Sequence, residues 1–224
     1  MRMLLVFAKV PVPGRVKTRL IPELGPQGAA RLYRAFLEDA GGWIQGAGAD
    51  RVIWWVDGDP RAFPLDCPDV RPQPDGDLGV RLRAAVDEGF RVGGGPVAVV
   101  GTDCPHLSPW AVEDLFRQVE EGFDAAILPA RDGGYMGLCL AGPFPEVFAG
   151  IPWSTSRVLA ATLARLRAAG RRVYVSGPVL DVDTPRDLGD LARILEQVPG
   201  RAPHTARLLH DLGWIPEHEG ARVP

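Results

Sequence analysis

The chain has 224 residues, is 46% hydrophobic and 24% charged, and carries a formal net charge of -3, which suits a globular protein with one sizeable core and excludes a disordered or fibrous one. The acidic balance excludes the broad basic field of a nucleic-acid binder. Cys67, Cys104 and Cys139 are odd in number and lack a CxxC pair, so neither a disulfide framework nor a zinc site is indicated.

The first apolar run, Met3 to Ala8, is too short for the core of a signal peptide, and no stretch approaches the length needed to span a bilayer. A soluble, cytoplasmic protein without membrane partners is expected. Runs at Met3 to Ala8, Arg51 to Val56, Pro96 to Gly101, Asp124 to Pro129 and Arg171 to Val175 are short, continuous and apolar, as strands covered on both faces are. Helical periodicity fills Pro26 to Gln45, Leu78 to Phe90, Pro109 to Glu121, Ser154 to Ala169 and Thr184 to Val198. The alternation predicts an α/β fold, a mostly parallel sheet between layers of helices. Only Ala130 to Gly134 separates the strand ending at Pro129 from a further one at Tyr135 to Leu140, too little for a crossover helix, so an antiparallel hairpin is expected near 124–140. Residues 57–77 are rich in Pro and Asp and read as an irregular excursion. Residues 1–200 are expected to form one domain, with 201–224 an extension packed on it through the amphipathic stretch Thr205 to Leu212.

Before the first acid, Glu23, stand Arg2, Lys9, Arg15, Lys17 and Arg19. Four of these follow the first strand, where open α/β sheets bind ligands, so the loop is a natural anion site. Gly14 lets the backbone approach a ligand, and Lys9, Arg15, Lys17 and Arg19 are candidate phosphate contacts. Among 25 basic residues only Lys9 and Lys17 are lysine, and both lie here. The competing reading is a solvated basic turn. Lys17-Thr18 imitates the end of a P-loop, but the upstream spacing is wrong.

Asp103 ends the apolar run Val97 to Val100, Gly101 and Thr102, and is the first choice for a hard-cation ligand. The alternative, a cap on the helix from Pro109, is better served by Ser108. In Asp181-Val182-Asp183-Thr184-Pro185-Arg186-Asp187 the cap is Thr184 with Asp187 at its third helical position. Asp181 and Asp183 are left over, share one face of an extended segment, and offer the second metal carboxylate, Asp183 preferred. Asp132-Gly133-Gly134-Tyr135 reads first as a hairpin turn. Asp77-Leu78-Gly79 reads as a helix start, Cys104 as a small buried hydrophobe, and His106, His204, His210 and His218 show no metal spacing.

In order along the chain, FAKVPVPGRVKTRL, DLGVRL, GTDCPHL, ARDGGYMGL, PWS and DVDTPRDL resemble the glycosyltransferase-A-like family of nucleotide-diphospho-sugar transferases, to about residue 195. The pattern is also similar to 2-phospho-lactate guanylyltransferase and molybdenum-cofactor guanylyltransferase. The resemblance implies a Rossmann-like α/β/α sandwich with a nucleotide over the first loop and Mg²⁺ or Mn²⁺ on Asp103 and Asp183. It turns Asp132, Gly133, Gly134 and Tyr135, with Trp153 and Ser154, into an acceptor-side element. Pro11 and Pro13 stand where the more distant nucleotidyltransferases have glycines. The first functional reading is nucleotidyl transfer from a nucleoside triphosphate to a phosphorylated small molecule, with Lys17 and Asp103 as catalytic groups. Glycosyl transfer from a nucleotide sugar follows closely, with Asp132 as a base. A non-catalytic nucleotide-binding protein comes third.

Overall fold

The computed structural model describes residues 1–216. Seven strands form one sheet: β1 Met3–Lys9, β2 Arg51–Asp57, β3 Val70–Pro72, β4 Val97–Val100, β5 Ala125–Pro129, β6 Tyr135–Leu140 and β7 Val173–Val175, in the order β3-β2-β1-β4-β6-β5-β7. All neighbours are parallel except that β6 runs antiparallel to both β4 and β5. The expected hairpin is therefore present, and its second strand is inserted between β4 and β5.

Six helices cover the sheet: α1 Ile21–Gln45, α2 Leu78–Gly93, α3 Pro109–Glu120, α4 Val158–Ala168, α5 Pro185–Gln197 and α6 Pro203–Asp211. The side chains of β1 explain the layering. Leu4 and Val6 pack with Phe36 of α1, Phe116 of α3 and Leu188 of α5. Met3 and Leu5 pack on the other face with Leu82 of α2 and Leu166 of α4. Successive strand residues point to opposite faces, so burial on both sides demands an unbroken apolar run.

Three local differences from the sequence expectation have physical causes. The short β3 lies within the stretch read as irregular, and pairs only Val70 to Pro72 with Trp54 to Val56. Its proline is tolerated because the strand is an edge. Helix α1 begins at Ile21 and is broken at Gly25, whose φ of 67° lets the chain turn before Pro26. Helix α4 begins at Val158 instead of Ser154, because residues before it form a turn in which Ser154 has φ 61°.

Asp39, in the middle of α1, is 5% exposed and accepts hydrogen bonds from the backbone N–H groups of His204 and Thr205 at 3.0 and 2.8 Å. It thereby caps α6, whose own N-terminal residue Ala202 has no side-chain cap. His218 lies outside the described residues. Among the described residues no helix is long and apolar enough to cross a membrane.

Candidate functional site

The carboxyl ends of β1, β4 and β5 open into a cleft of about 870 Å³. Parallel neighbours end on the same edge, and the loops that leave them must diverge there. Lys9, Arg15, Lys17 and Arg19 line it from the loop after β1, and Asp103 lines it from the end of β4. Asp132, Gly134 and Tyr135 line it from the β5–β6 turn, Trp153 and Ser154 from the segment before α4, and Asp181 and Asp183 from the segment before α5. Gly14 and Gly133 are not lining residues; both have positive φ, 80° and 92°, and shape the turns that carry their neighbours.

A backbone contact brings the two candidate metal carboxylates together. Val182 N–H donates to the Asp103 carbonyl at 3.0 Å, and Val179 N–H donates to the Pro129 carbonyl at 2.9 Å. The strand-like segment before α5 is thus laid beside the ends of β4 and β5. Its far end is fixed by a capping box: Thr184 Oγ1 accepts from Asp187 N–H, and Asp187 Oδ2 accepts from Thr184 N–H at 2.8 Å. Asp187 is structural, which leaves Asp183 facing the cleft.

Lys17 reaches into this junction. Its backbone is left-handed, φ 45° and ψ 45°, a conformation costing a non-glycine residue about 1–2 kcal/mol. Its side chain is 3% exposed, and Nζ lies 2.5 Å from Asp103 Oδ1 and 3.0 Å from Asp183 Oδ1. It also donates to the Val182 carbonyl at 2.8 Å, and sits 5.3 and 5.9 Å from the ring centroids of Phe36 and Tyr33. Burial alone opposes the charge, but Asp103 and Asp183 outweigh it and hold the lysine pKa above its usual value. Asp183 mirrors this: burial pushes its pKa up, and Lys17 more than reverses the push, so it lies below the usual carboxylate range. Arg19 is more distant, 4.0 Å from Asp183 Oδ2 and largely exposed.

Tyr33 supports the same corner. Its hydroxyl accepts from Lys9 N–H at 3.0 Å and pairs with Thr102 Oγ1 at 2.8 Å, and burial raises its pKa to about 12. Sequence reasoning missed Tyr33, because its place on the buried face of α1 reads as core. Gln73 was missed too: its Nε2 donates to the carbonyls of Ala8 and Trp55 at 3.0 and 3.1 Å, tying the ends of β1 and β2. No sequence pattern signals that role.

Asp181 is not among the ammonium's partners. Burial, then Asp132, Asp183 and Asp187, raise its pKa to about 6. Asp132 makes the expected turn, its Oδ1 accepting from Gly134 N–H at 2.7 Å. Gly133 presses on the segment before α4: a Cβ there would lie 2.2 Å from the Ser156 carbonyl oxygen, and its own carbonyl accepts from Leu159 N–H at 2.9 Å. Tyr135 meets Trp153 edge-on at 6.4 Å. The Trp153 indole lies so near α2 that a Cβ on Gly79 would approach Nε1 to 2.3 Å, so the glycine in DLG is a packing requirement as well as part of a helix start.

Asp103, Asp183 and the Val182 carbonyl are the hard oxygen donors that Mg²⁺ or Mn²⁺ takes. Their convergence on one point, where Lys17 Nζ sits, shows that a small cation can contact all three. Among the described residues no group of three or more His, Cys, Asp or Glu is arranged to hold a metal. A divalent ion at this point would have two carboxylates, and the rest of its coordination would come from the Val182 carbonyl, water or substrate oxygens.

The chain matches, over residues 43–155, the model of a family described as "Uncharacterized protein conserved in bacteria (DUF2064)". It is 32% identical to a crystal structure from Desulfovibrio desulfuricans G20, described as a candidate nucleotide-diphospho-sugar transferase, with 94% of each chain covered and a TM-score of 0.86. The chain belongs to the DUF2064 family. The DUF2064 match takes in Asp103, the β5–β6 turn, Trp153 and Ser154, and stops short of the basic loop and of Asp183; the Desulfovibrio structure extends the likeness to nearly the whole chain.

More distant structures share the DUF2064 chain's fold. CMP:2-keto-3-deoxy-manno-octonic acid synthetase complexed with CTP is 16% identical, with 88% of this chain and 98% of that one covered and a TM-score of 0.54. The manganese complex of Rv0371c from Mycobacterium tuberculosis H37Rv is 21% identical, with 88% and 99% covered and a TM-score of 0.52. No curated protein matches the chain.

Proposed function

We propose that the cleft binds a nucleotide by its phosphates and transfers a nucleotidyl group from a nucleoside triphosphate to a phosphorylated small-molecule acceptor, releasing pyrophosphate. The observation that carries this reading is the convergence of Asp103 and Asp183 on one cation position that the basic loop also reaches. The CTP bound to the synthetase of the same fold and the manganese bound to Rv0371c support it. A divalent cation, Mg²⁺ or Mn²⁺, would supply charge neutralisation at the phosphoryl oxygens. Arg15, Arg19 and Lys9, all exposed along the loop, bind and orient the triphosphate and hold the departing pyrophosphate. Such chemistry needs positioning and electrostatics and no side-chain nucleophile.

Glycosyl transfer from a nucleotide sugar is the second reading. The description of the Desulfovibrio relative favours it, as does the acceptor wall. That wall presents Asp132 and Asp181 beside Trp153 and hydroxyl side chains, while the cations lining the cleft come from the loop after β1 and, as Arg81, from α2. A hydroxyl acceptor and a carboxylate base fit there.

Calorimetric titration with nucleoside triphosphates and nucleotide sugars, each with and without Mn²⁺, tests both. Triphosphate binding followed by pyrophosphate release with sugar phosphates supports the first reading. Nucleotide-sugar binding with release of a nucleoside diphosphate supports the second. Binding of neither class in the presence of Mn²⁺ sinks both.

A further inference from the structure

The ammonium of Lys17 has three donors, and each has an oxygen: Asp103 Oδ1 at 2.5 Å, Asp183 Oδ1 at 3.0 Å and the Val182 carbonyl at 2.8 Å. Phe36 and Tyr33 close in from behind, and the side chain is 3% exposed. No donor is left for a phosphate in this arrangement. Two carboxylates and a carbonyl are the ligand set a hard divalent cation selects, so the lysine stands where that cation belongs. The backbone points the same way. Lys17 is one of three non-glycine residues with positive φ among those described, and such strain persists only where the surroundings over-determine it. Here the strained backbone carries the ammonium to the two carboxylates.

We infer that the Lys17 ammonium is a resident cation on the metal position between Asp103 and Asp183, so that a divalent ion enters only together with nucleotide phosphates that draw the ammonium away. The inference rests on the reading of those two aspartates as metal carboxylates. Its electrostatics are simple. Two carboxylates and one ammonium leave a single negative charge, and a doubly charged ion placed beside the ammonium, itself buried while the carboxylates are half-exposed, is repelled by it at close range. Triphosphate oxygens supply both the missing negative charge and a new partner for Nζ. The lysine then passes from carboxylates to phosphate as the metal arrives, and the empty enzyme avoids holding two carboxylates against each other.

The test is a titration of the whole chain with Mn²⁺, free ion being counted by electron paramagnetic resonance. It uses the wild type, Lys17→Met and Lys17→Asn, asparagine being the side chain best suited to a left-handed backbone; circular dichroism checks that each is folded. Without nucleotide, both variants should bind Mn²⁺ at least tenfold more tightly than the wild type, and Asp103→Asn added to Lys17→Met should abolish the gain. With a saturating nucleoside triphosphate, and after subtraction of the Mn²⁺ held by the same triphosphate without protein, the wild type should also gain at least tenfold. Folded variants that bind Mn²⁺ no more tightly than the wild type overturn the inference, as does a wild type that binds Mn²⁺ equally with and without triphosphate. If Mn²⁺ and triphosphate still bind together in that case, the proposed function stands and only the displacement falls. Failure of every form to bind Mn²⁺ under either condition overturns both.

Discussion

Replacing Gly133 by alanine asks whether the acceptor wall is built on a backbone contact. At φ 92° a Cβ would lie 2.2 Å from the Ser156 carbonyl oxygen, about 1 Å inside the usual approach of carbon to carbonyl oxygen. The left-handed backbone costs alanine about 1–2 kcal/mol, of which about 0.4–1 kcal/mol returns through the stiffer unfolded chain. Gly14 is the control: its φ is 80°, and a Cβ there meets nothing within 4 Å. Relieving the clash at Gly133 must part the hairpin turn from α4. That loses the 2.9 Å hydrogen bond from Leu159 N–H, about 1 kcal/mol, and adds overpacking of about 1–3 kcal/mol. Gly14→Ala is therefore expected to cost about 1 kcal/mol and Gly133→Ala about 3–5 kcal/mol. In a chain of this size each kcal/mol lowers Tm by about 2–4 °C, giving falls of about 3 °C and about 10 °C in differential scanning fluorimetry. Gly133→Ala should also displace Trp153 and Ser154, lowering turnover more than nucleotide affinity. Equal Tm losses at the two glycines would refute the steric reasoning.

Asp39→Ala removes the side-chain cap that Asp39 places on α6 and should cost about 2 kcal/mol in urea unfolding, whereas Asp39→Asn, which keeps one acceptor oxygen, should lose about half as much; an Asp39→Ala protein as stable as the wild type contradicts the capping role. His106 gives a pH signature. Burial, then Arg201 and Arg131, depress its pKa to about 4 against an ordinary 6.5, so the folded state holds it neutral while the unfolded chain takes up a proton. Its contribution is complete above pH 6.5 and is lost as pH falls towards 4, by up to about 3 kcal/mol. Compared across pH 4 to 7, His106→Gln should show a shallower loss of unfolding free energy than the wild type; parallel curves would exclude it.

Much of the architecture was legible because its causes are local. Continuous apolar runs such as Met3 to Ala8 announce strands buried on both faces, and the five residues between β5 and β6 leave no room for a crossover. Thr184, Pro185 and Asp187 carry a helix start on their own atoms. The three-residue β3 was not legible, since one edge pairing supplies too few residues for any periodicity. Nor was the origin of the α6 cap, because Asp39 lies on another helix and its partners are backbone groups that have no sequence signature.

The candidate site divides in the same way. From the chain alone came the residue types: a basic loop after the first strand, Asp103 at the end of a buried one, and Asp181 and Asp183 on one extended face. Composition and spacing determine these, since charge and strand periodicity are properties of neighbours in sequence. Only the tertiary structure decided who meets whom. The Val182–Asp103 backbone bond joins segments about eighty residues apart, and a left-handed turn at Lys17 swings its ammonium inward to Asp103 and Asp183, while Arg15, Arg19 and Lys9 stay exposed along the loop. Whether a lysine faces solvent or fills a cation position depends on the burial and geometry of distant partners, and these exist only once the sheet has brought the strand ends together.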